Sequence, residues 1–358
     1  MASLGLIEMA KFILSKSKVK AQMDQIRNLG IISYSFKTNP KVGQILEQEE
    51  GCDFSVHFVN ELNLIKDRSR VWFLAQALNN ELLAHLFSQG VSRFVIENEE
   101  DLAMLTSYIT GNNLKIELLL RMKLKENTVK TERYYVFGIE SKAINRLIPE
   151  LKANPHISKL GVHFHRKTQN VSEWDLIREI SELIDDNNWQ HLSYLNIGGG
   201  LPVMYKNISD RAIDSAIKKI SELSDWLKQK NIALIIEPGR FICGPAITLE
   251  TEIVGIHGNT IVVDASVYNS SPDTLIVPIK LLVKGEVEPG QSQADSDNLA
   301  KPYVIKGITP CSTDLFRYRV YLKGEPKTGE TLTFLNAGAY NFHTEFCELN
   351  KVETVVLD

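Results

Sequence analysis

A chain of 358 residues, 44% hydrophobic and 23% charged, has the composition of an ordinary globular protein with room for one large barrel and a smaller domain. A formal net charge of -4 and a pI near 6.1 give no global case for nucleic acid or an anionic membrane as partner. No apolar run approaches the ~20 residues that span a bilayer, and residues 1–9 lack the basic and apolar regions of a signal peptide. Cys52, Cys243, Cys311 and Cys347 lie far apart, with neither a CxxC pair nor a disulfide framework, so a reducing cytoplasm is the expected setting.

From residue 12 to about 241, short apolar runs alternate with amphipathic stretches. Expected strands at 12–14, 31–36, 54–56, 71–74 and 93–96 are followed by helices at 19–29, 42–48, 60–66, 80–89 and 99–108. Strands at 116–121, 159–164, 194–197 and 233–236 continue the alternation, with helices at 141–153, 173–185 and 208–228. This is the pattern of a parallel sheet covered by helices. Nine or ten strands exceed a simple eightfold count, yet residues capable of chemistry recur at strand C-terminal ends, where (βα)8 TIM-type barrels carry their sites. The expected barrel domain therefore spans 12–241.

Beyond 241 helical periodicity fades. Strands are expected at 248–255, 260–263, 275–283, 302–305, 317–322, 331–335 and 352–357, with turns at His257-Gly258-Asn259 and Glu288-Pro289-Gly290. Residues 242–358, joined by 1–11, are expected to form an all-β domain, with the polar stretch 291–299 as a mobile loop.

Ser33-Tyr34-Ser35-Phe36-Lys37-Thr38-Asn39-Pro40 ends a buried strand on a lysine. Such a lysine either snorkels to solvent or is an amine kept nucleophilic for a carbonyl cofactor, because burial disfavours its ammonium form. In Asn196-Ile197-Gly198-Gly199-Gly200-Leu201-Pro202 the three glycines suit either a tight βα turn or an anion approached by backbone N–H groups. The spacing matches neither a dinucleotide fingerprint nor a P-loop. Glu237-Pro238-Gly239-Arg240 puts a carboxylate at the end of an apolar strand, where it needs a partner, either Arg240 or a protonated ring nitrogen. Gly161-Val162-His163-Phe164-His165-Arg166-Lys167-Thr168 carries two histidines on one face of a strand. No third ligand is spaced to make a metal site of them, and stacking on an aromatic cofactor suits the rings better. Cys311, in Thr309-Pro310-Cys311-Ser312-Thr313-Asp314, and Tyr340, in Gly338-Ala339-Tyr340, lie in the β-domain.

In this order, these motifs resemble the pyridoxal-phosphate (PLP)-dependent amino-acid decarboxylases of the alanine-racemase-like fold, which include ornithine, arginine, diaminopimelate and carboxynorspermidine decarboxylases. The resemblance runs from Phe12 to Leu357 and implies a (βα)8 barrel followed by a β-domain. It implies that Lys37 holds PLP as a Schiff base, that His165 stacks on its ring, and that Glu237 pairs with its ring nitrogen. It assigns the phosphate to Thr168, Gly198, Gly199, Gly200, Gly239, Arg240 and Tyr340. It implies a homodimer with shared sites, Cys311 entering from the partner subunit to serve a protonation step, and Asp264 as a site aspartate.

Departures fall on the substrate side. Basic-substrate members carry an acid directly after the cysteine. Here that residue is Ser312, with Asp314 two positions on as its possible substitute. Ser55 stands where the family has a barrel aspartate, which a shifted register would restore at Asp53. Lys167-Thr168 replaces a serine-glycine pair, and Arg166 and Lys167 could meet a carboxylated substrate. The expected activity is decarboxylation of a basic, diamino or carboxyalkyl-diamine α-amino acid, with no nucleic acid, membrane or metal involved. A racemase, a non-catalytic PLP-binding protein and a sugar-phosphate barrel enzyme with Lys37 as Schiff-base lysine are the alternatives. Racemases of this fold usually place an arginine against the ring nitrogen, so Glu237 favours the decarboxylase.

Overall fold

The structure, a computed structural model, describes residues 10–124, 137–167, 169–288 and 300–358. Residues 1–9, Thr168, the turn at Pro289-Gly290 and the stretch 291–299 lie outside them. The chain divides into two compact units, Met23–Pro202 with Asp210–Arg240, and Phe241–Asp358 with Met1–Gln22 and Val203–Ser209.

Strand β1 (Lys11–Ser15) is not part of the βα alternation. It belongs to the second unit's sheet, which explains why the sequence shows one strand too many for an eightfold barrel. The barrel is closed by eight parallel strands: β2 (Ile31–Ser35), β3 (Cys52–Val56), β4 (Val71–Leu74), β5 (Arg93–Ile96), β6 (Ile116–Arg121), β7 (Ile157–His163), β8 (Tyr194–Asn196) and β9 (Ala233–Ile236). Pairing of Ile31 with Ile235 and Ile32 with Ile236 joins the last strand to the first. Several βα turns use one device. Asn39, Asn79 and Asn98 each accept a backbone N–H from the first turn of the following helix, from Val42, Leu82 and Asp101 respectively.

Alternation along the strands sorts side chains into an outer face under the helices and an inner face in layers. Tyr34, Phe54, Phe94, Leu118 and Val162 are fully buried on the outer face. Trp72, Val95, Leu119, Tyr194 and Ile235 form the apolar layer inside the barrel. Toward the strand N-termini lies an ionic layer. Arg93 donates to Asp53 at 2.8 Å and lies 3.4 Å from Glu117. Lys159 meets Glu117 at 3.0 Å and donates to the Tyr194 hydroxyl at 2.8 Å, and that hydroxyl donates to Glu117 at 3.1 Å. Asp53 is thus paired with Arg93 one layer below Ser55. The register Ser33–Asp53 and Ser35–Ser55 leaves no shift that would bring Asp53 to the mouth.

The second unit is an eight-stranded sheet in the order β12-β15-β10-β11-β13-β14, with β1 pairing to β10 and β16. Its strands are β10 (Ile247–His257), β11 (Thr260–Val263), β12 (Leu282–Val283), β13 (Lys301–Lys306), β14 (Leu315–Leu322), β15 (Thr331–Leu335) and β16 (Glu353–Leu357). Leu249, Ile261, Ile305, Val320 and Phe334 form its core. The segment 275–283, which reads as one strand in the sequence, starts instead as a helical turn, Asp273–Ile276, and only Leu282–Val283 pairs as a strand. Pro272 sits at the N-cap of that turn, and Pro278 has no N–H to give a ladder. Among the described residues no helix is long and apolar enough to cross a membrane.

The ionic layer makes a pH-dependent prediction. Burial already raises the Asp53 pKa, and Arg93 opposes that rise. In Arg93→Met, Asp53 loses the cation that opposes its desolvation, so its folded-state pKa rises further above the unfolded one. That penalty exists above the folded pKa and disappears as pH falls through it. Thermal denaturation should show the variant destabilised by about 2 kcal/mol near pH 7, with the gap to wild type narrowing toward about pH 4.

Candidate active site

The strand C-termini gather a polar layer at one mouth of the barrel. Lys37 lies just past β2, in a single 3-10 turn, Phe36–Thr38. Its neighbours in that turn are buried, Phe36 edge-on to Phe54 with ring centroids 5.9 Å apart. Asn39 then caps the helix Pro40–Leu46, and the Tyr34 hydroxyl donates to the Asn39 carbonyl at 3.1 Å. The backbone under Lys37 is therefore held on both sides, while Nζ reaches the open mouth. It remains accessible there, but the surrounding barrel wall lowers its pKa by desolvation. Glu237 and Glu61 pull the other way.

Glu237 follows β9, and its side chain is 13% exposed. Its Oε1 accepts from Ser55 Oγ at 2.8 Å and from Asn196 Nδ2 at 2.9 Å. Because Ser55 gives its proton to Glu237, Ser33 Oγ must donate to Ser55 Oγ, 2.8 Å away. His163 Nε2 approaches Glu237 Oε2 to 3.5 Å. Burial alone would raise the Glu237 pKa, but His163, Asn196 and Ser55 together hold it well below the usual carboxylate range. A fixed anion results. Ser55, which stands where the family resemblance places an aspartate, is part of what fixes it.

Asn196 links this anion to the glycine turn. Its Oδ1 accepts from Gly198 N at 2.8 Å while its Nδ2 holds Glu237, so both ends of the amide are committed. Gly198 and Gly200 have φ of +65° and +100°. A Cβ at Gly198 would lie 2.6 Å from the Phe164 carbonyl, and one at Gly200 2.5 Å from that of Lys167, so both positions require glycine. Gly199 N donates to His165 Nδ1 at 3.3 Å, which places the His165 ring against the turn. Burial lowers His165 to about 4, so the ring is neutral near neutral pH. Gly239 backs onto the buried Thr38, whose Oγ1 would lie 2.1 Å from a Cβ there, and Arg240 is buried beside it in sequence. Thr168 is outside the described residues.

Four mouth residues escape a reading by motif. His57, past the end of β3, lies 3.4 Å from Lys37 Nζ through its Nε2. Arg121, at the end of β6, donates to Glu97 at 2.7 Å, and Gln76 donates to the same carboxylate at 2.6 Å. Each lies on an inward position by the period of two, and that is the signal that finds them. Arg166 and Lys167, by contrast, do not await a substrate carboxylate. Arg166 donates to Glu173 at 3.0 Å and pairs with Glu179, and Lys167 donates to Glu173 at 3.0 Å.

The second unit carries its own cluster. Tyr268 Oη lies 3.3 Å from Cys311 Sγ, and Thr313 Oγ1 lies 3.1 Å from the same sulfur. Bonds from Thr313 and Tyr268 lower the Cys311 thiol to about 7. Ser312 is exposed next to it. Asp314 is fully buried. It accepts from Val267 N at 2.9 Å and, through its other oxygen, from Thr309 N at 3.0 Å and Thr309 Oγ1 at 2.7 Å. It holds the loop together and is not available to replace the missing acid at Ser312. Asp264 Oδ1 accepts from Glu252 N at 2.8 Å, stitching β10 to β11. Tyr340 takes a left-handed φ of 49° in the turn after β15.

Residues 15–244, most of the chain, match the family model for the pyridoxal-binding domain of pyridoxal-dependent decarboxylases. The chain belongs to that family. It is 28% identical over 294 residues to a probable chloroplastic diaminopimelate decarboxylase of Oryza sativa, covering 74% of this chain and 59% of the rice protein. It is 24% identical over 208 residues to the 2-[(L-alanin-3-ylcarbamoyl)methyl]-2-hydroxybutanedioate decarboxylase of Staphylococcus aureus, covering 54% and 52% of the two chains. The chain thus spans little more than half the length of either relative. The lysine/ornithine decarboxylase of Vibrio vulnificus, solved with cadaverine, superposes with a TM-score of 0.78 at 21% identity, covering 99% of this chain and 96% of that one.

The residues present fit PLP: an amine at one strand end, a fixed carboxylate at another, a neutral imidazole, and a turn kept clear of Cβ atoms. Two outcomes follow. Gly198→Val should lower PLP affinity by at least about tenfold in a fluorescence titration, since its Cβ meets a backbone carbonyl. Glu237 contributes stability that is present above the usual glutamate range and is lost as pH falls through and below that range. In guanidinium melts between about pH 7 and pH 3.5, Glu237→Gln should therefore lose less stability than wild type.

Proposed function

We propose that this protein is a PLP-dependent decarboxylase of a diamino or carboxyalkyl-diamine α-amino acid, working as a homodimer with shared active sites. The carrying observation is the Glu237 carboxylate, held ionised by Ser55, Asn196 and His163 at the barrel mouth that also presents Lys37. PLP supplies an aldehyde that condenses with amines and a ring that accepts the electron pair left at Cα when CO2 departs. Lys37 is the residue to hold that aldehyde. Its lowered pKa keeps a larger share of the amine unprotonated and nucleophilic near neutral pH. Glu237, held anionic, would keep a proton on the ring nitrogen of a bound PLP, the arrangement that suits deep electron withdrawal and so decarboxylation over racemisation. The turn Gly198-Gly199-Gly200, with Gly239 and Arg240, is the place for the phosphate. His165, neutral near neutral pH, would stack on a bound ring without adding charge. Cys311, partly thiolate at neutral pH, is the candidate to move a proton at Cα from the partner subunit.

The substrate's distal group is left open by Ser312 and by the buried Asp314, so a distal ammonium is not met by an acid next to Cys311. That opens the choice to amino acids whose distal end is neutral or carboxylated as well as to simple diamino acids.

CO2 release from the PLP-loaded protein should appear with one member of a panel of diamino acids and carboxyalkylated diamines. It should fall by at least about 1,000-fold in Lys37→Ala. Absence of release across the panel, with racemisation of any member, would overturn the reading. For shared sites, mixing inactive Lys37→Ala with inactive Cys311→Ala should restore activity at about a quarter of sites through heterodimers. No restoration after subunit exchange would count against them.

A further inference from the structure

We propose that His57 is a positioning residue for the Lys37 amine, its Nε2 lone pair receiving an N–H of Nζ. This rests on Lys37 being the reacting amine. Lys37 Nζ and His57 Nε2 are 3.4 Å apart, and an ammonium has only donors, so the imidazole must accept. A neutral ring that accepts on Nε2 carries its proton on Nδ1, which is buried without a hydrogen-bond partner among the described residues and lies 3.9 Å from Glu61 Oε2.

Glu61 is itself fixed. Its Oε2 accepts the backbone N–H groups of His57 at 2.7 Å and Phe58 at 3.1 Å, closing the start of the helix Val59–Leu62. The turn that ends β3 therefore sets the backbone of His57 with one carboxylate. Around the pair stand Glu237 past β9, Arg121 at the end of β6, His163 at the end of β7 and Glu61. Burial, reinforced by Lys37, lowers His57 to about 3, so the ring stays a neutral acceptor and does not repel the ammonium. A neutral acceptor steadies the ammonium without adding charge. It offsets part of the desolvation at Lys37 and gives the free amine one resting place beside its partner.

The test is the ionisation of Lys37, read apart from turnover. The full chain, cleared of bound aldehyde with hydroxylamine, is labelled with trace acetic anhydride across the alkaline pH range. Modification of the Lys37 peptide is followed by mass spectrometry. In His57→Phe, which removes the acceptor without opening space for water, the labelling midpoint should fall by about one pH unit, a tenfold change in acid dissociation. His57→Gln, which restores an acceptor, should return it toward wild type. Glu61→Gln lowers the midpoint through its own charge whatever His57 does, so the second variant is His57→Leu, another replacement without an acceptor, which should lower the midpoint likewise even where His57→Phe fails to fold. An unmoved midpoint in a folded His57→Phe, or in a folded His57→Leu, overturns the proposal. The functional reading fails separately, when wild type shows no PLP absorbance that depends on Lys37.

Discussion

Everything at the barrel mouth turns on one carboxylate that cannot easily take up a proton. Glu237 stands at the end of a strand whose preceding residues are apolar, in surroundings that would by themselves raise its pKa. Ser55 from β3, Asn196 from β8 and His163 from β7 converge on it and reverse that tendency. Three other strands are thereby tied to β9 through one side chain. Asn196 carries the constraint further, because the amide that holds Glu237 also holds Gly198.

The barrel explains why such a cluster can exist. Parallel strands send all their C-terminal ends to one side, and the period of two sends every second side chain inward. The ionic layer of Asp53, Arg93, Glu117 and Lys159 closes the far end, and the apolar layer around Trp72 separates it from the mouth. Charges at the mouth therefore act on each other across short distances with an apolar floor beneath them, where their influence on pKa is largest. Lys37 and His57 are both shifted downward there, while Glu237 is held anionic.

Much of this was legible before the fold was known. The eight barrel strands appear as short apolar runs, and Lys37, Gly198 to Gly200 and Glu237 all lie where those runs stop. What could not be read is what depends on long-range pairing or on depth. The segment at 12–14 looks like a barrel strand, but its partners are residues 247–250 and 353–357, at the other end of the chain. Asp314 looks like a substrate ligand because it follows Cys311 closely, yet Gly307 leaves room for its carboxylate to turn inward onto Thr309 and Val267. Arg166 and Lys167 look like spare cations until the helix carrying Glu179 and the Glu173 ahead of it fold back to meet them, Glu179 on Arg166 and Glu173 on both. His57 and Arg121 belong to no linear motif. They become neighbours of Lys37 only when the sheet closes.

The state of the cofactor's ring nitrogen tests the role given to Glu237 most directly. The protein would be loaded with PLP carrying nitrogen-15 in the ring and its resonance recorded near neutral pH. A protonated nitrogen in wild type, losing its proton in Glu237→Gln, is the predicted result. An unprotonated nitrogen in wild type would contradict it, and with it the role proposed for Glu237.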